Sequence, residues 1–397
     1  MHIAEPLFWL SIAAILYTYA GYPLVIWAVG RIRSRRVNKS EITPRVSVVI
    51  ACHNEAGRIE ARIANILESD YPAELLETIV VSDGSTDDTV ATARRCASAR
   101  VRVFGYDRRM GKATALNVGM EMATGDIVVF ADARQAFDPR AIKELAANFA
   151  DESVGAVSGE LMLDNRDTSS VSAGVGVYWE YEKWIRKSES RFNSVIGATG
   201  AIYAIRRELW KPLPASTILD DIYTPMQIAL GGRRVIFEEQ ALAYDYLDST
   251  TSREFSRKVR TLTGNYQLCQ LMPRLLVPTS ALLFQFYSHK LMRLAAPLFF
   301  LVLFSANVSV VASLALAGGS ASGAKSLLYQ ASLVAQVAFY ASVLAGGWLS
   351  RHNRKVRLLN FAYVFSMMNA AALVGLFYFI RGKRDIWAVN QRVKVEG

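Results

Sequence analysis

The chain has 397 residues, of which 52% are hydrophobic and 20% are charged, and its formal net charge is +10. This hydrophobic fraction is too high for a chain that is soluble throughout, so part of the protein is expected to lie in lipid. The positive charge is concentrated beside apolar stretches, as it is at the edges of membrane spans, and the rest of the chain is acidic. Membrane lipid is therefore an expected partner and nucleic acid is not. The basic clusters lie at 31–39, 253–260, 274–293, 351–357 and 381–396.

Four uncharged runs are long enough to cross a membrane, which takes roughly 20 residues. They are Leu7–Val29, Leu294–Ala317, Leu327–Ser350 and Leu358–Ile380. Basic residues follow the first run but do not precede it, so the positive-inside rule predicts an external N-terminus and a cytoplasmic segment from residue 31. We expect a multi-pass protein of the inner (plasma) membrane, with the loop 318–326 outside. The fourth run then leaves basic residues outside, against the rule, so the side of the C-terminus stays open.

Between residues 43 and 255, strand-like runs alternate with helical patterns. The strand-like runs are Val46–Cys52, Thr78–Ser82, Val101–Phe104 and Ile127–Ala131, and helical spacing covers Arg58–Glu68, Lys112–Ala123 and Pro139–Phe149. This alternation predicts a Rossmann-like α/β domain with a mostly parallel sheet, whose ligands bind beyond the carboxyl ends of the strands. The predicted parts are an anchor at 1–30, the cytosolic α/β domain at 31–252, amphipathic interface helices at 253–293, three spans within 294–380 and a basic tail at 381–397.

Acidic residues stand where the chemistry of such a domain is expected. Asp83 ends the second strand, where a turn or helix cap is the simpler explanation. Asp132 closes the strand Ile127–Ala131, and a carboxylate there could hold Mg²⁺, Mn²⁺ or a ribose hydroxyl. Asp220 and Asp221 begin a predicted helix, so they either complement its dipole or include a general base.

Taken in order, these segments resemble the family 2 glycosyltransferases with a GT-A fold, in particular the membrane-embedded branch of cellulose, hyaluronan, chitin-oligosaccharide and poly-N-acetylglucosamine synthases. VVIACHNE is similar to the family's first strand and Asn-Glu turn, VSDGSTD to its uridine-binding segment, and GKATALN to the segment whose lysine meets the diphosphate. Asp132 occupies the first position of the metal-binding D-x-D motif. The resemblance implies that Asp132 is a metal ligand and that the donor-binding residues are Asn54, Glu55, Asp83, Lys112, Asp132 and Arg260.

The acceptor side is covered by the same resemblance. GATGAIYAIRR is similar to the family's segment beneath the acceptor sugar, and LDD stands where the family has Thr-Glu-Asp, with Asp221 at the position of the catalytic base. The resemblance therefore implies a nucleotide-diphosphate sugar donor, a glycan or lipid-linked acceptor, and Mg²⁺ or Mn²⁺ as cofactor. The acceptor-side residues that it implies are Gly197, Thr199, Gly200 and Asp220.

Two departures from the family pattern limit what carries over. The second aspartate of D-x-D is Arg134 here, so metal ligation from that position is lost. In the Q-x-x-R-W segment of processive enzymes, Arg260 is retained but Thr261 replaces the tryptophan that forms a stacking floor for the acceptor. This replacement disfavours processive polymerisation unless Tyr266 or Trp179 supplies a ring.

The sequence thus predicts an inverting, metal-dependent membrane glycosyltransferase of surface or extracellular polysaccharide synthesis. Inversion is expected because there is one candidate base and no second nucleophile. Two alternatives stay open: a processive synthase that also exports its polymer, and a non-catalytic membrane protein that senses nucleotides. The aromatic residues Trp179, Tyr181 and Trp184 favour a packing stripe over a sugar platform, and His53 is expected in a turn rather than in catalysis.

Overall fold

The computed structural model describes residues 3–164, 170–246, 251–316, 323–352, 354 and 356–382. Most of the predicted external loop and of the basic tail lies outside the described residues. The helices are α1 (Ala4–Ile32), α2 (Ile59–Leu67), α3 (Thr89–Arg95), α4 (Lys112–Met122), α5 (Ala141–Ala147), α6 (Ser170–Phe192), α7 (Asp220–Leu230), α8 (Thr251–Leu271), α9 (Leu283–Leu316), α10 (Ala324–Arg351) and α11 (Arg357–Ile380).

Eight strands form one mixed sheet in the order β3-β2-β1-β4-β7-β6-β8-β5. Neighbouring strands among the first four pair in parallel, β7 is antiparallel to both β4 and β6, and β6 pairs in parallel with β8. The prediction of an α/β domain with a mostly parallel sheet is confirmed. The strands are β1 (Val46–Cys52), β2 (Leu76–Asp83), β3 (Val101–Tyr106), β4 (Ile127–Ala131), β5 (Ala136–Phe137), β6 (Val154–Asp164), β7 (Ile202–Arg206) and β8 (Arg234–Tyr246).

The sheet has a hydrophobic core on each face, which explains why its central strands are apolar without alternation. In β1, the side chain of Val48 contributes to the core formed with α2 and α5, whereas that of Val49 contributes to the core formed with α4 and α7. Both valines are fully buried. The two cores fix the helices around the sheet and leave the carboxyl ends of β1, β2 and β4 to open onto a shared edge.

Four helices in the described part of the chain are long and apolar enough to cross a membrane: α1, α9, α10 and α11. The helix of the second span begins at Leu283, well before Leu294, where the apolar run begins. Its first turns carry polar residues that the domain satisfies, since Gln285 donates to the carbonyl of Ser194 at 3.3 Å and His289 lies 2.8 Å from Glu189. Hydropathy alone could not reveal these turns as part of the helix.

The beginnings of α1 and α10 lie together, away from the domain. Lys325 forms an ion pair with Glu5 at 2.8 Å, and the indole nitrogen of Trp9 donates to the hydroxyl of Tyr329 at 3.1 Å. The N-terminal end of the chain and the start of α10 are therefore at the same end of the helical bundle.

The second half of α11 packs against α8, the polar helix that follows β8. The hydroxyl of Tyr266 lies 3.3 Å from the carbonyl oxygens of Leu294 and Ala372, and Thr263 donates to the carbonyl of Gly375 at 3.3 Å. Because Leu294 is near the domain end of α9, these contacts bring the last turns of α11 to the domain side of the bundle.

We expect the end of α11 to lie on the same side of the membrane as the α/β domain, because its last turns pack on α8. A cysteine introduced by Gly382→Cys should react with a membrane-impermeant maleimide from the same side as one introduced by Glu208→Cys. A cysteine introduced by Lys325→Cys should react from the opposite side. The measurement is labelling of inside-out and right-side-out vesicles without the three native cysteines, and labelling of Gly382→Cys together with Lys325→Cys would contradict the arrangement.

Candidate active site

Lys112 lies between two carboxylates from different parts of the sheet. Its Nζ is 2.9 Å from Oδ1 of Asp132, which follows β4, and 3.5 Å from Oδ1 of Asp220, which begins α7. Burial lowers the pKa of Lys112, but Asp132 and Asp220 raise that pKa by more, so it lies above its usual value. Lys112 is therefore a permanent positive charge at the carboxyl edge of the sheet.

Asp221, in the first turn of α7, packs against the predicted acceptor-side segment and feels the charge of Lys112. A Cβ atom at Gly200 would lie 2.9 Å from Oδ2 of Asp221, so the absence of a side chain at Gly200 makes room for the carboxylate. The pKa of Asp221 is raised to about 6, because burial and then the charge of Asp220 raise it by more than Lys112 and Arg260 lower it. A carboxyl group with this pKa is ionised at neutral pH and is more basic than an ordinary aspartate.

The acceptor-side segment is fixed from two sides. Thr199 is buried, its N–H donates to Oγ of Ser158 at 2.9 Å, and its Oγ1 accepts from a guanidinium nitrogen of Arg186 at 2.7 Å. Gly197 has a φ of +96°, and a Cβ atom there would lie 2.8 Å from the side chain of Ile222. The sequence prediction did not include Arg186, because its place in α6 is not marked by any local motif.

On the donor side, Asp83 holds the turn that leads into α4. Its carboxylate accepts hydrogen bonds from the backbone N–H of Met110 at 2.7 Å and of Gly111 at 2.9 Å. Gly111 has a φ of +94°, which a residue with a side chain rarely adopts. His53 lies in a turn, as predicted, with Nδ1 2.7 Å from the carbonyl oxygen of Asp83.

The Asn-Glu turn after β1 is joined to the turn after β2. Asn54 has a φ of 55°, its Oδ1 accepts from the backbone N–H of Thr86 at 2.8 Å, and its own N–H donates to Oγ of Ser85 at 3.0 Å. The N–H of Glu55 donates to Oγ1 of Thr89 at 2.8 Å. The predicted donor-binding residues of β1 and β2 are thus brought into one surface by hydrogen bonds between the two turns.

Arg134, which stands in the second position of D-x-D, forms an ion pair with Asp245 at the end of β8. Asp245 is 1% exposed and also accepts from Nε2 of Gln135 at 3.0 Å. Burial lowers the pKa of Arg257 in α8 to about 10, and the charge of Arg134 lowers it further. The carboxylate of Asp245 thus lies beside the position of the D-x-D motif, but it comes from β8 and its charge is neutralised by Arg134. No local sequence pattern predicts this pairing.

Asp132, although paired with Lys112, is the candidate carboxylate for a divalent cation. Across the described residues, no group of three or more His, Cys, Asp or Glu side chains is placed to hold a metal ion. The side chain of Asp132 is 38% exposed and can accept a hard cation through oxygen. Because Mg²⁺ usually keeps several waters and binds through substrate phosphates, one carboxylate fits such a site.

The aromatic residues considered for the acceptor are used in packing. Tyr181 and Trp184 pack against α1 with Tyr22, and the indole nitrogen of Trp179 donates to the carbonyl of Leu161 at 2.9 Å. Tyr266 stacks on Phe379 in the contact between α8 and α11, so it does not supply a ring to the acceptor. Thr261 donates to the carbonyl of Arg257 within its own helix.

Comparison with known proteins agrees with this architecture. Residues 47–213 match the model of glycosyl transferase family 2. A poly-beta-1,6-N-acetyl-D-glucosamine synthase of Staphylococcus aureus (strain MSSA476) is 25% identical over 228 residues, which are 56% of this chain and 55% of that protein. An N-acetylglucosaminyltransferase of Azorhizobium caulinodans is 30% identical over 179 residues, 44% of this chain and 45% of its own. This chain spans about half the length of these curated relatives.

A solved structure shares the fold over nearly the whole chain. It is the mannosyltransferase PcManGT from Pyrobaculum calidifontis in complex with GDP-Man and Mn²⁺, with a TM-score of 0.70 and 24% sequence identity, covering 95% of this chain and 99% of its own. This likeness confirms the GT-A fold expected from the sequence, together with the helical region around it. The resemblance drawn from the motifs is confirmed as well: residues 47–213 are similar to glycosyl transferase family 2, and four long apolar helices around them fit the membrane-embedded branch of that family.

Proposed function

We propose that the protein is an inverting glycosyltransferase that moves a sugar from a nucleotide-diphosphate sugar to a membrane-associated glycan or lipid-linked acceptor. The observation that carries this proposal is the placement of Asp221 against Gly200, beside the Lys112–Asp132 ion pair. A candidate base and a charged group for the leaving diphosphate thus share one edge of the sheet. The names of the curated relatives support a role in polysaccharide synthesis.

The donor is proposed to bind across the turns after β1 and β2 and the start of α4. Asn54, Glu55 and Asp83 would face the nucleoside, while Lys112 and Arg260 would stabilise the negative charge that develops on the diphosphate as it leaves. Asp132 would hold Mg²⁺ or Mn²⁺. When bound, that cation would supply further electrostatic stabilisation to the diphosphate.

In the proposed reaction, Asp221 accepts the proton of the acceptor hydroxyl. The oxygen of that hydroxyl then forms a bond with the anomeric carbon, and the bond from this carbon to the diphosphate oxygen breaks with its electron pair on the nucleoside diphosphate. The acceptor attacks from the face opposite the leaving group, so the anomeric configuration inverts. The acceptor hydroxyl is proposed to rest on the segment of Gly197, Thr199 and Gly200, near Asp220.

We further propose that the domain faces the cytoplasm of an inner (plasma) membrane. The support is the charge distribution, since the basic cluster at 31–39 follows α1 and that at 253–260 lies in α8, next to the domain. A non-catalytic nucleotide-sensing protein would need neither a carboxyl group of raised pKa nor an acceptor-side segment.

Substitution of the candidate base should abolish transfer while leaving the fold intact. We expect Asp221→Asn to lower the rate by about 10²- to 10⁴-fold, because an amide cannot accept the hydroxyl proton. The measurement is release of nucleoside diphosphate from UDP- and GDP-sugars by membranes with added Mg²⁺ or Mn²⁺. Glu208→Gln, an exposed carboxylate of the same domain, is the matched control and should retain full activity. An Asp221→Asn enzyme as fast as the wild type would refute the assignment.

The pH dependence should report the raised pKa of Asp221. Because the base must be ionised, the rate should rise as pH passes through about 6 and then level off. Arg186 is a cation that lowers the pKa of Asp221, so Arg186→Gln should move this limb to higher pH. The measurement is kcat/KM against pH for both proteins. A limb near the ordinary aspartate value of about 4 would contradict the role of Asp221.

We expect addition of one sugar per acceptor rather than polymerisation. Thr261 stands in place of the stacking tryptophan, Tyr266 stacks on Phe379, and the indole nitrogen of Trp179 is bonded to the carbonyl of Leu161. Without a ring beneath the acceptor sugar, we expect a lengthening product to be released rather than retained. Product masses measured with purified protein should show a single increment, whereas a ladder of increments would favour the processive alternative.

A further inference from the structure

Three basic residues gathered at the middle of α6 form no ion pair among the residues that the structure describes. They are Arg186 in α6 itself, Lys258 in α8 and Lys290 in the first turns of α9. Among the residues that the structure describes, none of the three is paired with a carboxylate. All three are partly buried, so their charges are not simply dispersed in water.

Their neighbours on the same helices are paired, which makes the contrast informative. On α6, Lys183 pairs with Glu160 at 2.8 Å and Lys187 with Glu239 at 3.0 Å. On α8 and α9, the cations next to the unpaired ones also have partners. Those pairs are Arg257 with Glu254 and Arg293 with Glu182.

Contacts between the helices bring the three cations to one place. The Nζ of Lys258 lies 4.8 Å from the ring centroid of Tyr178. Tyr178 is in α6, one helical turn before Glu182. Glu182 in turn lies 3.1 Å from Nε2 of His289, the residue before Lys290. Arg186 follows Glu182 by one turn, so the three cations surround the same segment of α6.

The carboxylates of Glu182 and Glu189 attract Lys290, and Glu182 also attracts Lys258, but Glu182 is already paired with Arg293, so holding the cations together still costs free energy. The pKa of Lys258 is lowered to about 8, because burial and the charges of Arg257, Arg293 and Arg186 together outweigh the opposing carboxylate of Glu182. A bound anion would remove this cost, and basic pockets between membrane helices are a known place for lipid phosphate groups.

The location of the three cations indicates which kind of anion they could bind. Arg186 donates to Thr199 of the acceptor-side segment, whereas Lys290 belongs to a helix long and apolar enough to span a membrane. The donor diphosphate is instead expected beside Lys112, which pairs with Asp132. An anion held here would therefore sit between the acceptor hydroxyl and the bilayer.

We propose that Arg186, Lys258 and Lys290 form a subsite for the phosphate group of a lipid-phosphate-linked acceptor. The proposal rests on the proposed function and narrows its acceptor. The sugar of the acceptor would reach Asp221, its phosphate would bind the three cations, and its lipid chain would remain in the bilayer along α9.

The test is equilibrium binding of farnesyl phosphate to the full chain in phosphatidylcholine nanodiscs, with farnesol and inorganic phosphate as separate probes. We expect farnesyl phosphate to bind at least tenfold more tightly than farnesol or inorganic phosphate. The double variant Lys258→Gln and Lys290→Gln should lose about tenfold or more in affinity, since charged hydrogen bonds to phosphate are lost. Equal binding of farnesol, or equal binding by the double variant, would overturn the proposal, and equal binding of inorganic phosphate would overturn its lipid part.

Four controls separate this subsite from other effects. Lys187→Gln removes a paired cation of the same helix and should leave binding unchanged, and the Lys258→Arg, Lys290→Arg variant should retain it if charge is what matters. Nanodiscs with phosphatidylglycerol should not displace the probe, since displacement would indicate general attraction to anionic lipid. Asp221→Asn should bind farnesyl phosphate as the wild type does, so loss of sugar transfer and loss of this subsite are distinguishable outcomes.

Discussion

The rest of the site depends on the ion pairs that the ammonium group of Lys112 makes with Asp132 and Asp220. Asp132 ends a strand of the parallel half of the sheet, and Asp220 begins the helix that follows its antiparallel half, so the two carboxylates would repel across the cleft without a cation between them. Asp83 fixes the backbone just before Lys112 through two N–H groups, which sets where α4 begins. The two halves of the domain are thus joined by electrostatics at the place where chemistry is proposed.

The predicted acceptor-side segment is linked through α6 to the helices that are long and apolar enough to cross a membrane. Glu189 accepts from the hydroxyl of Tyr22 in α1 at 2.5 Å and lies 2.8 Å from Nδ1 of His289 in α9, while Glu182 contacts the other ring nitrogen. Between these two glutamates, α6 presents Arg186 to Thr199. The same helix, α6, therefore contacts both the candidate membrane helices and the predicted acceptor-side segment. A displacement of either would shift the other through α6.

The sequence predicted what depends on local pattern. β1, for example, has the predicted bounds because a β-branched run buried on both faces is unambiguous. The sequence did not predict the pairing of Arg134 with Asp245, because the two residues meet only through the packing of β8. Nor did it predict the early start of α9, since 253–293 was expected to form amphipathic interface helices separate from the span that begins at Leu294, whereas Gln285 and His289 lie in the first turns of that span's own helix. Long-range contacts decided both cases.

The pairing of Arg134 with Asp245 also constrains how this protein could change during evolution. Replacing Arg134 alone with aspartate would place two carboxylates together beside a third, Asp132, and would leave the buried charge of Asp245 without a partner. Replacing Asp245 alone would leave the guanidinium of Arg134 without its carboxylate partner. A path between this chain and one with two aspartates in D-x-D therefore requires both positions to change together, and in related sequences the two are expected to covary.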